Sequence, residues 1–308
     1  MSPLAIVLSL VFAVLVAGSV AGKLLERRAT TDEGRATVQN LNARTRSWWV
    51  MVLVFGSALL VGKGAVTLLF AGLSFMALRE FWTLAPSRPG DHRALFASFF
   101  IVLPYHYYLL WTGWYGLFVI LIPVYAFLAL PALATLAGDV KDFLARSART
   151  QWGLMLGVYM LSHAPALLML ETGAEPALLL LWLVVVCQLS DVLQYVFGKT
   201  LGRTRFSPNV SPSKTLEGLF GGGLSAALIG AALYGLTPFA PLEAFAMALA
   251  VVTAGFFGGF VLSAVKRDLG AKDWGYVIEG HGGVLDRVDS LIFAAPILFH
   301  LTRYWFTA

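Results

Sequence analysis

The chain has 308 residues, of which 58% are hydrophobic and 13% are charged, and its mean hydropathy is +0.77. Soluble domains are typically about 45–50% apolar and about 25% charged. The composition therefore excludes an ordinary soluble protein and predicts one that uses lipid as part of its solvent. The net charge of +5 is not arranged in a stripe or motif that would favour nucleic acid, and it suits contact with anionic membrane lipids.

Apolar stretches recur along the whole chain at about the length that crosses a bilayer as a helix, roughly 20 residues. They predict an all-α polytopic integral membrane protein with about ten transmembrane helices. The predicted spans are approximately 3–22, 48–62, 64–82, 94–111, 115–137, 152–171, 176–197, 218–235, 243–265 and 290–307.

We divide this single membrane domain into three parts. Residues 1–47 hold the first span and a polar, basic cytoplasmic loop (23–47) that could lie on the membrane surface. The first span is interpreted as uncleaved rather than as a signal peptide, because no basic region precedes it. Residues 48–175 hold further helices, and residues 176–308 hold the predicted catalytic region.

The basic residues predict the orientation. If the N-terminus lies outside, alternation of the spans puts all 22 Lys and Arg residues on the cytoplasmic side except Lys63 and Arg303. Cytoplasmic loops of membrane proteins carry such an excess of Lys and Arg. The sequence therefore predicts a multi-pass protein of the cytoplasmic membrane, with its polar loops in the cytoplasm.

The first of two unusually polar cytoplasmic loops runs over residues 190–223. Asp191 and Tyr195 are four residues apart and share a helical face, and Lys199 follows in a glycine-containing exit. In the run SPSKTLEG (211–218), Ser211 is predicted to be a helix N-cap with Pro212 in the first turn. The amides there, with Ser213, Lys214 and Thr215, would then face an anion. An ordinary capped helix start is the alternative.

The second polar loop runs over residues 258–290. Lys266, Arg267 and Lys272 supply positive charge suited to a polyphosphate, and His281-Gly282-Gly283 allows close approach of an anion. Asp286 and Asp289 are three residues apart and share a helical face. Carboxylates at a membrane boundary need basic partners or a cation such as Mg²⁺. This pair is therefore a candidate for binding Mg²⁺, and the alternative is that the two residues only form ion pairs at a helix end.

Together these residues form a recognisable pattern. The second loop reads Ser263-x-x-Lys266-Arg267, then Lys272-Asp273, then His281-Gly282-Gly283-x-x-Asp286-Arg287-x-Asp289. This run closely resembles the signature of the phosphatidate cytidylyltransferase family. Asp191, Tyr195, Gly198 and the SPSKTLEG run are similar to a second motif of that family. The resemblance is strong over about residues 185–307.

The resemblance implies a nucleotidyltransferase that joins CTP to phosphatidate, giving CDP-diacylglycerol and pyrophosphate for phospholipid synthesis, with Mg²⁺ as cofactor and a homodimer as a candidate assembly. It implies that Asp286, Asp289 and Asp273 bind the metal. The other implied catalytic residues are Lys266, Arg267 and His281, the last as a phosphate contact or a loop-packing residue. The implied substrate- and phosphate-binding residues are Asp191, Tyr195, Lys199, Ser211, Ser213, Lys214, Thr215, Lys272, Gly282, Gly283 and Arg287.

The sequence departs from the family pattern at specific positions. Gly259 stands where the family has an acidic residue implicated in metal binding, and Leu262 replaces a glutamate. Glu279 replaces a proline, and Gln194 an alanine. The missing carboxylate at Gly259 leaves open that a single metal suffices or that Glu279 or Asp191 substitutes for it. The departures also leave open a divergent paralogue that uses another nucleotide or a nucleotide sugar with a phosphatidate-like lipid, or an inactive scaffold.

A transporter is disfavoured because charge gathers at one membrane face rather than inside the spans. The central polar candidates, His106 and His163, are interpreted as helix-packing residues.

Overall fold

The computed structural model describes residues 3–28, 31–276 and 282–307. Its main elements are ten helices and two short strands: α1 Pro3–Arg28, α2 Asp32–Val61, α3 Lys63–Leu84, α4 Pro89–Thr112, α5 Tyr115–Thr135, α6 Phe143–Met169, α7 Pro176–Thr200, β1 Arg205–Ser207, β2 Ser211–Thr215, α8 Gly218–Ala232, α9 Pro241–Asp268 and α10 Leu285–Phe306. A 3₁₀ turn, Tyr234–Leu236, follows α8.

The helices agree with a polytopic membrane protein. Across the described residues, seven of them (α1, α3, α4, α5, α6, α7 and α9) are long and apolar enough to cross a membrane. The apolar parts of α2 and α8 are shorter, Thr45–Val61 and Gly218–Ala232. Each predicted span coincides with one helix, so the chain is an integral membrane protein. Crossing by α2, α8 and α10 stays a prediction.

The basic segment 23–47 differs from the predicted loop, because most of it is helical. Helix α1 continues to Arg28 and α2 begins at Asp32, so the two helices form a hairpin. Asn42 Nδ2 donates to Glu26 Oε2 at 2.9 Å, and Trp49 Nε1 donates to Ser19 Oγ at 2.9 Å. Glu and Arg are good helix formers, and a helix satisfies its own backbone beyond the apolar span.

The prediction that Ser211 caps a helix is wrong. Ser211–Thr215 is strand β2, paired antiparallel with β1, so the fold is not purely helical. Ser211 precedes a proline, which disfavours helical backbone at that residue, and Pro208-Asn209 supplies turn residues between the strands. The hydroxyl of Thr215 instead accepts the amide of Gly218 at 3.1 Å, at the start of α8.

Close helix packing sets the geometry around the polar loops. A Cβ added to Gly222 of α8 would lie 2.4 Å from the backbone nitrogen of Gln194 in α7. A Cβ added to Gly258 of α9 would lie 2.6 Å from the carbonyl oxygen of Asp289 in α10. Small residues at helix interfaces permit such close approach in membranes. Helices α7, α8, α9 and α10 therefore form one tightly packed group.

The two central histidines make short packing contacts. His106 Nε2 and Ser162 Oγ share a hydrogen bond of 2.8 Å between α4 and α6. His163 Nδ1 donates to the carbonyl oxygen of Tyr159, 2.7 Å away, within α6. Both side chains are fully buried, and these bonds are of the kind expected for packing residues in a helical membrane protein.

Candidate active site

A polar cavity of about 260 Å³ lies where α7, β2 and the ends of α8, α9 and α10 meet. It combines carboxylates, basic side chains and hydroxyls from parts of the chain that are far apart in sequence. Its lining residues are Asp191, Gln194, Tyr195, Ser213, Lys214, Thr215, Gly218, Leu219, Phe256, Gly259, Asp286, Arg287 and Asp289. Eight of the predicted site residues are therefore brought together: Asp191, Tyr195, Ser213, Lys214, Thr215, Asp286, Arg287 and Asp289.

Two carboxylates of the cavity are joined through Ser290. The Ser290 hydroxyl donates to Asp191 Oδ2 at 2.9 Å, and the Ser290 backbone amide donates to Asp289 Oδ1 at 2.8 Å. Ser290 itself is 2% exposed. Because α7 and α10 are held by this contact, two negative groups lie close together in a partly dehydrated cavity, where a cation or cationic side chain must balance them.

Lys214 supplies part of that balance. Its ammonium donates to the carbonyl oxygen of Phe256 at 2.9 Å and lies 4.5 Å from the centre of the Phe256 ring. Burial lowers the pKa of Lys214, and the carboxylates of Asp289 and Asp191 oppose that shift. One hydrogen bond to a backbone carbonyl oxygen thus holds the lysine in place. Its positive charge is only partly neutralised, so it can still bind an anion.

Gly259 explains how Lys214 fits. A Cβ built on Gly259 would lie 3.1 Å from Lys214 Nζ and 3.2 Å from Asp289 Oδ2. The space beside α9 that a side chain at this position would use is thus occupied by the ammonium group and the carboxylate. An acidic residue here would require Lys214 to shift. The position of Lys214 therefore depends on residue 259 being glycine rather than the acidic residue of the family pattern.

Asp286 accepts three hydrogen bonds from the protein. Lys266 Nζ donates to its Oδ1 at 2.6 Å, and the amides of Trp274 and Gly283 donate to its Oδ2 at 2.8 and 3.0 Å. The paired side chains of Lys266 and Asp286 are 10% and 6% exposed. Asp286 therefore ties the end of α9 and the following loop to the first turn of α10.

Glu80 was missed by the sequence analysis. This residue of α3 is 4% exposed, and its two carboxylate oxygens accept the amides of Val284 and Leu285 at 2.8 and 2.9 Å. The next residue, Phe81, stacks on the buried ring of Trp274 with ring centres 5.7 Å apart. Helix α3 thus caps α10 and holds the adjoining loop. An acid within an apolar helix was the available signal.

Other predicted residues lie outside the cavity lining. Lys199 sits over the Tyr195 ring at 5.8 Å, and Arg267 Nη1 donates to the carbonyl oxygen of Ala271 at 2.8 Å. Lys272 and Asp273 are exposed, and Ser211 is buried in β2. Gly282 and Gly283 lie in the loop before α10. His281 and Glu279 lie outside the described residues.

The carboxylates near Ser290 suit a hard cation. Over residues 3–28, 31–276 and 282–307, no three His, Cys, Asp or Glu side chains are grouped as a metal-ligand set. Mg²⁺, however, is typically bound through one or two carboxylates plus substrate phosphates. Asp191 and Asp289 fit that requirement. The metal-binding roles of Asp286 and Asp273 stay predictions. Asp286 already accepts three hydrogen bonds from the protein, and Asp273 is exposed outside the cavity lining.

The helical bundle and this cavity define a polytopic membrane protein with an enzyme-like polar site at the ends of its helices. Residues 42–305 match the cytidylyltransferase family, and the chain belongs to that family. The resemblance inferred from the two motifs is thereby confirmed at the family level.

Among individual proteins, the chain is 38% identical over 301 residues to the uncharacterized protein YnbB of Escherichia coli strain K12, covering 96% of this chain and 97% of that protein. It is 36% identical over 139 residues to the phosphatidate cytidylyltransferase of Aquifex aeolicus, covering 40% of this chain and 52% of the enzyme. It is 39% identical over 120 residues to the phosphatidate cytidylyltransferase of Bacillus subtilis, covering 38% of this chain and 44% of that enzyme. The chain thus matches about half the length of these enzymes.

Proposed function

We propose that this protein transfers the cytidylyl group of CTP to phosphatidate, giving CDP-diacylglycerol and pyrophosphate. The observation that carries the proposal is the cavity in which Lys214 and Arg287 lie beside Asp191 and Asp289. Cations for phosphates and carboxylates for a metal occur together, in a protein whose helices suit a lipid substrate. Family membership and the partial similarity to phosphatidate cytidylyltransferases support the same chemistry.

The reaction needs positioning and charge neutralisation more than covalent chemistry by the protein. An oxygen of the lipid phosphate attacks the α-phosphorus of CTP. The bond between that phosphorus and the oxygen bridging to the β-phosphate breaks, and pyrophosphate leaves with the electron pair. In this proposal Lys214 and Arg287 hold phosphate oxygens. Asp191 and Asp289 would hold Mg²⁺, which supplies charge neutralisation for the phosphates when bound.

The basic residues around the cavity support the proposal that the cavity faces the cytoplasm. CTP is a soluble anion, and the loops that contribute to the cavity carry most of the basic residues of the C-terminal third. We therefore propose a cytoplasmic membrane enzyme whose nucleotide enters from the cytoplasm and whose lipid substrate comes from the bilayer.

Gly259 favours a second candidate. The ammonium of Lys214 lies 3.1 Å from a Cβ built on Gly259. Compared with the family pattern, the cavity therefore has one carboxylate fewer and has a cation beside that position. A donor with a different phosphate arrangement, such as a nucleotide sugar, would suit such a charge balance, and another nucleoside triphosphate belongs to the same candidate because it differs from CTP only in its base. The lipid acceptor is the same in both candidates.

Pyrophosphate release by the purified protein in detergent tests these candidates, with phosphatidate, Mg²⁺ and each nucleoside triphosphate in turn. CTP alone should support turnover, and Asp289→Asn should abolish it. Asp268→Asn, which removes an exposed carboxylate from the last turn of α9, is the matched control and should keep activity. Turnover with a different nucleotide would support the second candidate.

Nucleotide sugars need a separate assay, in which transfer to radiolabelled phosphatidate is followed by chromatography of the lipid product. Silence of the folded protein with every donor would indicate a scaffold.

A further inference from the structure

An apolar groove of about 270 Å³ shares the lining residue Arg287 with the polar cavity. It is formed by α2, α3, α7 and α10, and its lining is almost wholly hydrophobic. Representative lining residues are Met51, Phe55, Leu69, Leu73 and Val184. All four helices coincide with spans predicted to cross the bilayer, and α3 and α7 are long and apolar enough to do so, so the groove lies in the region where lipid chains are found.

Arg287 is common to the groove and the polar cavity, because it lines both. Its Nε atom is buried and has no hydrogen-bond partner among the described residues. A buried guanidinium nitrogen without an acceptor is costly, and a phosphate is the kind of group that an arginine fork binds well. The end of the groove is therefore suited to an anion attached to an apolar chain.

We propose that this groove binds one acyl chain of the lipid acceptor while Arg287 holds the phosphate of the same molecule. The inference rests on the proposed function, since it takes the acceptor to be a lipid with a phosphate monoester. Two observations select this occupant over another helix or a neutral lipid. The groove and the polar cavity share one lining residue, Arg287, and that arginine supplies a charge that a neutral lipid would leave unpaired.

The location of the groove has a consequence for specificity. Its walls include α2 and α3, which lie outside the C-terminal region that carries the family motifs. The acyl preference is thus assigned to side chains of the N-terminal helices, such as Met51 and Leu69, while the nucleotide is handled by the C-terminal loops. Changes in α2 or α3 should alter lipid preference without altering the nucleotide used.

Photolabelling tests the occupant without requiring turnover. The full protein in phosphatidylcholine nanodiscs is irradiated with a phosphatidate that carries a diazirine near the middle of one acyl chain. Mass spectrometry should find the label on α2, α3 or α7 residues of the groove. Excess unlabelled phosphatidate should suppress that label, and Arg287→Gln should reduce it at least about fivefold, as loss of a charge-assisted contact implies. Label spread evenly over the lipid-facing helices, or label in the groove that ignores Arg287→Gln, would overturn the proposal.

A groove-filling variant supplies the second measurement. Leu69→Trp adds a large ring inside the groove, and Leu68→Trp adds the same ring at a neighbouring position that is 75% exposed. Leu69→Trp should raise the KM for long-chain phosphatidate at least about tenfold, since several methylenes lose their binding surface. The KM for the nucleotide and the reaction of dihexanoyl phosphatidate should change little, and Leu68→Trp should resemble the unaltered protein.

The two ideas fail separately. Label in the groove without turnover with any nucleotide would reject the proposed reaction and keep the lipid site. Turnover with CTP while Leu69→Trp behaves as Leu68→Trp would keep the reaction and reject the groove.

Discussion

The buried ion pair between Lys266 and Asp286 gives a prediction at the scale of single residues. Lys266→Met leaves the carboxylate buried without its cation, which should cost about 3–5 kcal/mol of stability. Adding Asp286→Asn should recover part of that loss, because an amide oxygen can still accept the bonds from Trp274 and Gly283. Unfolding midpoints of the unaltered protein, Lys266→Met, Asp286→Asn and the double variant, all in one detergent, measure this coupling. Losses that simply add would contradict a direct pair.

The lowered pKa of Lys214 predicts a pH dependence of nucleotide binding. A bound polyphosphate favours the charged lysine, so the complex holds the Lys214 proton more tightly than the free protein does. Affinity is therefore complete below the lowered pKa of the free protein and falls as the pH rises through it. That fall should begin at a lower pH than an ordinary lysine, with its pKa of about 10.4, would produce.

Titration calorimetry with CTP at successive pH values measures the effect. Lys214→Arg should flatten the alkaline loss because a guanidinium stays protonated, whereas Lys141→Arg, at an exposed site, should leave the pH profile unchanged. An identical alkaline loss in Lys214→Arg would assign the titration to another group.

At the scale of elements, Glu80 caps α10 from a helix some two hundred residues away in sequence. Glu80→Ala leaves the amides of Val284 and Leu285 buried without acceptors, which should cost about 1–3 kcal/mol. Glu80→Gln keeps one acceptor oxygen and should cost less. The comparison variant is Glu243→Ala, which removes an exposed cap from Ala240 at the start of α9 and should cost under about 1 kcal/mol. Thermal unfolding in detergent ranks them, and equal losses in all three would contradict the capping role.

The same elements indicate how far sequence reasoning reaches. Hydrophobic length predicted every helix, because lipid allows few alternatives for the backbone. The family spacing brought Asp191, Lys214, Arg287 and Asp289 to one cavity. The capping pattern failed at Ser211, where the preference of a residue before proline for extended backbone outweighed capping.

Glu80 could not be predicted because its role depends on a contact between distant helices. Nothing local in sequence marks a carboxylate of α3 as the acceptor for the first turn of α10. The coupling between Gly259 and Lys214 is of the same kind, since it depends on how β2 packs against α9. Local patterns thus predicted the elements, and tertiary packing decided which side chains meet.

At the scale of the whole molecule, the two basic residues that break the charge pattern lie at one end of the bundle. Lys63 at the start of α3 donates to the carbonyl oxygen of Trp111 at the end of α4, 3.1 Å away. Arg303 near the end of α10 lies 3.7 Å from the centre of the Tyr115 ring at the start of α5. Both are held by protein groups on the side opposite the cavity, which is the arrangement that the alternating spans require.

That arrangement predicts which ends of the helices face the cytoplasm. Single cysteines at Ser87 and Lys141 should be cytoplasmic, and those at Glu171 and Glu175 should face outward. All four positions are exposed, and the native Cys187 is buried and should give no background. A membrane-impermeant maleimide added to right-side-out vesicles should label the second pair alone, and inverted vesicles should reverse the pattern, because basic loops are retained in the cytoplasm. Labelling of Ser87→Cys from the outside would invert the topology and move the cavity away from the nucleotide pool, which would contradict the proposed reaction at the level of the whole protein.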